Sequence, residues 1–325
     1  MSGHAITADD VRAAAERIRP YVHLTPVLRC ASVDERAGAE VHLKAEHLQR
    51  AGSFKARGAH NALLQLSDDE RRRGVVAVSS GNHATAVACA GRALGVTVDV
   101  IMPKDAPPMK LRSAAGYGAR IHRFDRHRDD RAELLAAHVA EHGSVPIEPF
   151  DDPRVMAGQG TTALELLEQA DIDTLVVPMS GGGLMAGCAV AARDVRPDLR
   201  IVGVEPAGAD DTARSFAAGE RVRIDRPDTV ADGLAIAQPG ALTFPITHDL
   251  VDEVVTVTDD EILHACVVLL ERAKQVVEPS GATSVAAVLA GRTGGDRIGV
   301  VVSGGNVDLA GLARLCGDRT TEDRP

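Results

Sequence analysis

Apolar residues recur in two rhythms along this chain. Short runs rich in valine and isoleucine predict strands at Val41-His42-Leu43-Lys44, Val75-Val76-Ala77-Val78, Thr97 to Ile101, around Ile121, Leu175-Val176-Val177, Ile201 to Val204 and Ile298 to Val302. Between them, apolar positions fall at helical spacing. Helices are predicted over Val11 to Ile18, from Lys55 through Ala59, Ala62, Leu63 and Leu66, and over Ala84 to Leu94. Others are predicted over Arg131 to Glu141, Ala157 to Ala170, Gly183 to Ala192 and Glu261 to Gln275. Thr7-Ala8-Asp9-Asp10 predicts a capped start for the first helix, and Ser53 is read as the N-cap of the helix carrying Lys55. Strands that alternate with helices imply parallel sheets covered on both faces, so the fold class is α/β. Residues 74 to 150 read as a small inserted α/β domain. Residues 1 to 73 and 151 to 316 then form a large domain with an irregular stretch at 206 to 250, and 317 to 325 is a polar tail.

Composition narrows the function. The chain has 325 residues and a formal net charge of -10, with 2% aromatic residues and no Trp. An acidic chain poor in stacking surfaces argues against nucleic acid as a partner. Cys30, Cys89, Cys188, Cys266 and Cys316 are scattered without a CxxC, which fits a reducing compartment. No apolar run reaches bilayer length and the N-terminus has no apolar signal core, so a cytoplasmic location is expected.

Chemistry gathers where three strands end in small polar loops. In open parallel sheets ligands bind beyond the carboxyl ends of strands, so these loops are expected to share one cleft. Ser180-Gly181-Gly182-Gly183-Leu184 opens a helix, and its bare backbone N–H groups suit a phosphate. Ser79-Ser80-Gly81-Asn82-His83 sets hydroxyls and an amide at another helix start, which suits a carboxylate or a ring hydroxyl. Ser303-Gly304-Gly305-Asn306 ends the last strand with a hydroxyl able to bond a ring nitrogen without forcing a proton onto it. Lys55 follows a glycine turn at a helix start, where the dipole and lack of water lower its pKa and favour the neutral amine that an imine-forming lysine needs. Gly181-x-Gly183-x-x-Ala186, with Glu205 ending the next strand, also satisfies a relaxed dinucleotide fingerprint, so a nicotinamide dehydrogenase is the competing reading. His138 and His142 share a helical face without further ligands and read as solvated.

Taken in order, GSFKARGA, SSGNHA, AGQGT, SGGGL, VEPAGADD, VEPSGA and SGGNVDL resemble the fold-type II pyridoxal-phosphate enzymes. The branch is that of the serine/threonine dehydratases and serine racemases. The resemblance implies two domains of the tryptophan synthase β type, each with a central, mostly parallel sheet, and a homodimer. It implies Lys55 as the imine-forming, catalytic lysine, Phe54 against the cofactor ring, Asn82 at its hydroxyl, and Gly181, Gly182, Gly183 and Leu184 around the phosphate. Gly233 would line the ring, Glu278 lie near it and Ser303 meet the pyridine nitrogen. Ser79, Ser80, Asn82, His83 and Arg131 would hold the substrate carboxylate, and Ser80 would be the acid/base opposite the lysine in a racemase. Relatives of racemase type place a divalent cation, Mg or Ca, where Glu205, the Ala209 carbonyl and Asp211 fall here. Ala51 stands where the family often has Thr, and Phe150 where animal racemases have Asn near the ring, as in dehydratases. No residues remain for the regulatory domain of biosynthetic threonine deaminases. The activity implied is a dehydratase (ammonia-lyase) of L-threonine or L-serine. The alternatives are a serine racemase, a dehydratase of another 3-hydroxy amino acid such as threo-3-hydroxyaspartate, or a non-catalytic carrier of the cofactor.

Overall fold

The structure, a computed structural model, describes residues 3–106, 108–125 and 128–320. Ten strands form two sheets: β1 Val27–Leu28, β2 Glu40–Lys44, β3 Val75–Val78, β4 Val98–Pro103, β5 Arg120–Phe124, β6 Val145–Pro146, β7 Thr174–Pro178, β8 Arg200–Pro206, β9 Glu253–Val257 and β10 Arg297–Val301. One sheet runs β1-β2-β10-β7-β8-β9 and the other β5-β4-β3-β6. All pairings are parallel except β1 with β2. The central strands read as continuous apolar runs because both faces are covered: β3, β4 and β7 are buried at every position.

Polar residues set where helices begin. Thr7 forms a reciprocal capping box with Asp10, and Thr258 forms one with Glu261. Left-handed Gly95 closes the helix Asn82–Leu94. The lysine helix, Lys55–Leu64, differs from expectation at its start. Ser53 is extended (φ -164) and its hydroxyl finds no hydrogen bond among the described residues, so it does not cap. Instead it bridges Gly304, which zips the turn before Lys55 onto the loop after β10.

Three helices stack through glycines. A Cβ on Gly158 would lie 2.7 Å from the Cα of Gly58, and one on Gly160 would lie 2.6 Å from the carbonyl oxygen of Gly187. The helix Pro153–Gln169 therefore clasps the lysine helix on one side and the helix Gly183–Val195 on the other. This accounts for AGQGT at residues 157–161 as packing that fixes the two site helices relative to each other. A buried charge cluster adds to it. Arg57, fully buried, bonds both oxygens of Glu46 (2.7 and 2.8 Å) and both of Glu165 (2.7 Å each), and Lys44 reaches Glu165 at 2.6 Å. Removing one member of such a cluster costs about 3–5 kcal/mol, because a charge is left buried and unpaired.

Three expectations are corrected. The stretch 206–250 is not irregular throughout, since it holds the helices Asp211–Ala218 and Thr243–Leu250. Their short, polar-interrupted apolar spacing hides them. The segment after residue 25, for which no element is predicted, contains β1 and the helix Ala31–Ala37, which ends at left-handed Gly38. The helix predicted to Gln275 stops at Glu271, and Lys274 takes φ +60. His138 is buried rather than solvated: its ring meets those of His122 (5.1 Å) and His142 (4.5 Å) beside Asp99. Of the polar tail, residues 321–325 lie outside the described residues.

Candidate active site

The loops after β3, β7 and β10 open into one cavity of about 230 Å³. Phe54, Lys55, Ser79, Ser80, Asn82 and His83 line it, as do Gly181, Gly182, Gly183 and Leu184. So do Arg131, Gly233, Glu278 and Ser303. Every residue singled out for cofactor or substrate thus faces the same space, although they come from both sheets.

Lys55 is half-buried, with its Nζ donating to the Pro149 carbonyl oxygen at 2.6 Å and lying 5.0 Å from the centre of the Phe54 ring. Burial lowers its pKa to about 8, because a charged amine loses its hydration there. Loss of water is the cause.

The triglycine turn is shaped by exclusion. A Cβ on Gly181 would sit 2.3 Å from the Phe150 ring, and one on Gly183 2.8 Å from the Phe150 Cα. Gly182 has φ +90. N–H groups in a helix's first turn have no acceptor within the helix, and those of Gly181 to Leu184 find none elsewhere among the described residues. The result is a bare cup of donors at a positive helix end, the chemistry that binds phosphate.

The β3 loop is furnished with side chains. Ser79 Oγ accepts from the Gly81 N–H at 3.1 Å. His83 donates through Nε2 to the Ile147 carbonyl oxygen at 2.8 Å, so its ring is committed to the core. Burial, reinforced by Lys55, lowers its pKa to about 3. What His83 offers the cavity is its backbone N–H at the helix start, with no ring charge. Asn82 Nδ2 donates to Glu278 Oε1 at 2.6 Å, and burial raises the Glu278 carboxyl to about 7. Ser303 is buried, with its hydroxyl 3.4 Å from the Ser280 carbonyl oxygen, and Ser280 Oγ accepts from the Gly233 N–H at 2.9 Å.

Lys110 and Asp232 also line the cavity and pair with each other. Neither stands in a motif, and only the fold brings them together. Phe150, noted in the sequence only as a departure, is the wall against which the glycines pack.

Glu205 and Asp211 lie outside this cavity and are almost fully buried. Glu205 accepts from the N–H groups of Thr212 (3.3 Å) and Ala213 (2.9 Å), while both Asp211 oxygens lack a hydrogen bond. Burial raises both carboxyls, Glu205 to about 8 and Asp211 to about 7, and the charge of Asp211 adds to the shift on Glu205. Among the described residues no three His, Cys, Asp or Glu side chains group as a metal cage.

The family described as "Pyridoxal-phosphate dependent enzyme" matches residues 18–304. The chain belongs to that family. It is 44% identical to the L-threo-3-hydroxyaspartate ammonia-lyase of Saccharomyces cerevisiae over 322 residues, 98% of each chain. It is likewise 44% identical to the serine racemase of Arabidopsis thaliana over 310 residues, 93% of each. Among solved structures, maize serine racemase superposes with a TM-score of 0.93 at 43% identity, covering 96% of this chain and 97% of that one. The threonine deaminase of T.th. superposes at 0.88 and 44%, covering 94% and 99%. Membership decides against the nicotinamide reading and in favour of pyridoxal phosphate. Glu205 explains why the dinucleotide fingerprint misleads, because its carboxylate turns inward to the helix Asp211–Ala218.

The cavity fits that cofactor. A cup whose three glycines leave no room for a Cβ, a desolvated amine and a buried hydroxyl at Ser303 match its phosphate, aldehyde and ring nitrogen in chemistry.

Proposed function

We propose that this chain is a pyridoxal-phosphate-dependent ammonia-lyase that converts L-serine and L-threonine to the 2-oxo acid and ammonia. The observation that carries the reading is the desolvated Lys55 amine in the same cavity as the triglycine cup and Ser303. The cofactor, when bound, supplies an electron-withdrawing group that acidifies the Cα–H of an amino acid. Gly181 to Leu184 would hold the phosphate, Phe54 and Gly233 the ring faces, and Asn82, with Glu278 behind it, the ring hydroxyl. Backbone N–H groups at Asn82 and His83, the hydroxyls of Ser79 and Ser80, and Arg131 would bind the substrate carboxylate. Neutral Lys55 then takes the Cα proton as general base. Ser303 offers the ring nitrogen a hydroxyl rather than a carboxylate, which disfavours storing negative charge in the ring and favours loss of the β-hydroxyl. The product is released as 2-oxo acid and ammonia after hydrolysis.

Two observations favour further readings. Ser80 lines the cavity with Lys55, and a second acid/base there would allow racemisation. Lys110 stands on the same wall, paired with Asp232, and exchange of that partner for the extra carboxylate of 3-hydroxyaspartate would suit that substrate. Incubating the yellow enzyme with L-serine, L-threonine and L-threo-3-hydroxyaspartate separates them. Our reading expects pyruvate from serine to exceed D-serine, with 2-oxobutyrate from threonine. D-serine as the main product, or turnover of hydroxyaspartate alone, overturns it.

Glu205 and Asp211, with the Ala209 carbonyl, are further proposed to hold a divalent cation, Mg or Ca. Two buried carboxylates, one without a donor, suit oxygen-loving ions. Millimolar Mg or Ca is expected to raise the melting temperature of the wild type, and chelator to lower it. Asp211→Asn is expected to abolish the difference, and an equal response in that variant contradicts the site. We also propose a cytoplasmic homodimer.

A further inference from the structure

Asn306 does not line the cavity, yet it joins two parts that do. Its Nδ2 donates to the Ala51 carbonyl oxygen at 2.7 Å and to Asn82 Oδ1 at 2.9 Å. Ala51 (φ +58) and Gly52 (φ +74) form the left-handed turn that precedes Lys55. A Cβ on Gly52 would lie 2.3 Å from Asn306 Oδ1, so the amide fills that turn completely. The backbone is zipped at the same place: the Gly305 N–H donates to the Gly52 oxygen at 2.9 Å, and the Phe54 N–H to the Ser303 oxygen at 3.1 Å.

The polarity of this chain of bonds is fixed from one end. A carbonyl oxygen only accepts, so the end of Asn306 facing Ala51 must be its nitrogen. That nitrogen also faces Asn82, which must therefore present its oxygen. The Asn82 nitrogen is then turned to Glu278 Oε1, 2.6 Å away. The inverted Asn82 would set two amide nitrogens against each other at 2.9 Å. One hydrogen of Asn82 Nδ2 serves Glu278, and the second is free for an acceptor in the cavity.

We propose that Asn306 is a positioning residue. It transmits the direction of the Ala51 carbonyl to Asn82, and so keeps the Asn82 amide N–H groups facing Glu278 and the cofactor site. The inference rests on the pyridoxal-phosphate reading above. Asn306→Asp keeps the shape but offers only acceptors. It repels the Ala51 carbonyl and draws the Asn82 nitrogen toward itself.

The test uses the purified holoenzyme and two readouts besides turnover, the visible absorption band across pH and the rate of cofactor release. Asn306→Asp is expected to shift the band and to speed release by about tenfold, the worth of one lost hydrogen bond in a buried site. Asn82→Ala should do the same. The double variant should be no worse than Asn82→Ala alone, because the two residues act in series. An unchanged band and release rate in Asn306→Asp, or losses that multiply in the double variant, overturn the inference. Should Asn306→Asp fail to fold, Asn306→Ser takes its place. It is expected to shift the band in the same direction, and an unchanged band again overturns the inference. A wild type that takes up no pyridoxal phosphate refutes the underlying reading, and the inference falls with it.

Discussion

Two strand-to-helix turns line the cavity, and they are built on opposite plans. The turn after β7 is bare from Gly181 to Gly183, while the turn after β3 carries Ser79, Ser80, Asn82 and His83. Both lead into a helix of 13 residues, so both offer backbone N–H groups and a positive dipole end. The difference lies in the space around the glycines. Gly181 and Gly183 are pressed against Phe150, whereas a Cβ on Gly81 meets nothing within 4 Å. A bare, tight cup can recognise a group only by size and charge, which would suit the phosphate proposed for it. A furnished, roomier turn can tell one amino acid from another.

The contrast is sharpest under substitution. Gly183→Ala drives a methyl group into the Phe150 backbone, and overpacking of this kind costs about 1–3 kcal/mol. Cofactor affinity is expected to fall roughly 10- to 100-fold, as fluorescence titration would show. Retained affinity would break the account of the cup.

Next in size is the pH dependence of loading. Only the unprotonated Lys55 amine attacks an aldehyde. Because burial lowers its pKa to about 8, loading of pyridoxal phosphate onto the apo chain should rise about tenfold per pH unit below that value and level off above it. A rate that keeps rising toward pH 10 would mark an ordinary, solvated lysine. The smallest effect is expected at Gly81→Ala, with cofactor affinity within about twofold of wild type, since no atom must move.

The sequence announces the bare turn more clearly than the furnished one, since three consecutive glycines before a helix have few other uses. It also carries the parallel sheets, as valine-rich runs, and fourteen residues, singled out there for cofactor or substrate, that line one cavity. Pairings made only by the fold stay hidden. Lys110 and Asp232 are far apart in sequence and sit in no motif, and Asn306 reads as the end of a turn until its bonds to Ala51 and Asn82 are seen. Ser53 misleads for a related reason: the loop after β10 claims its backbone, so the usual capping rule gives way to a bridge with Gly304. His138 misleads because Asp99 and His122 arrive from neighbouring strands to bury one side of a helix that looks polar.

The claim beneath all of this is that the Lys55 amine is the one that meets the cofactor. Borohydride reduction of the holoenzyme, followed by peptide mass mapping, tests it directly. The account predicts a phosphopyridoxyl adduct on the peptide containing Lys55, absent from Lys55→Ala together with the yellow colour. An adduct on Lys44 or Lys110, or a colour that survives Lys55→Ala, would contradict it.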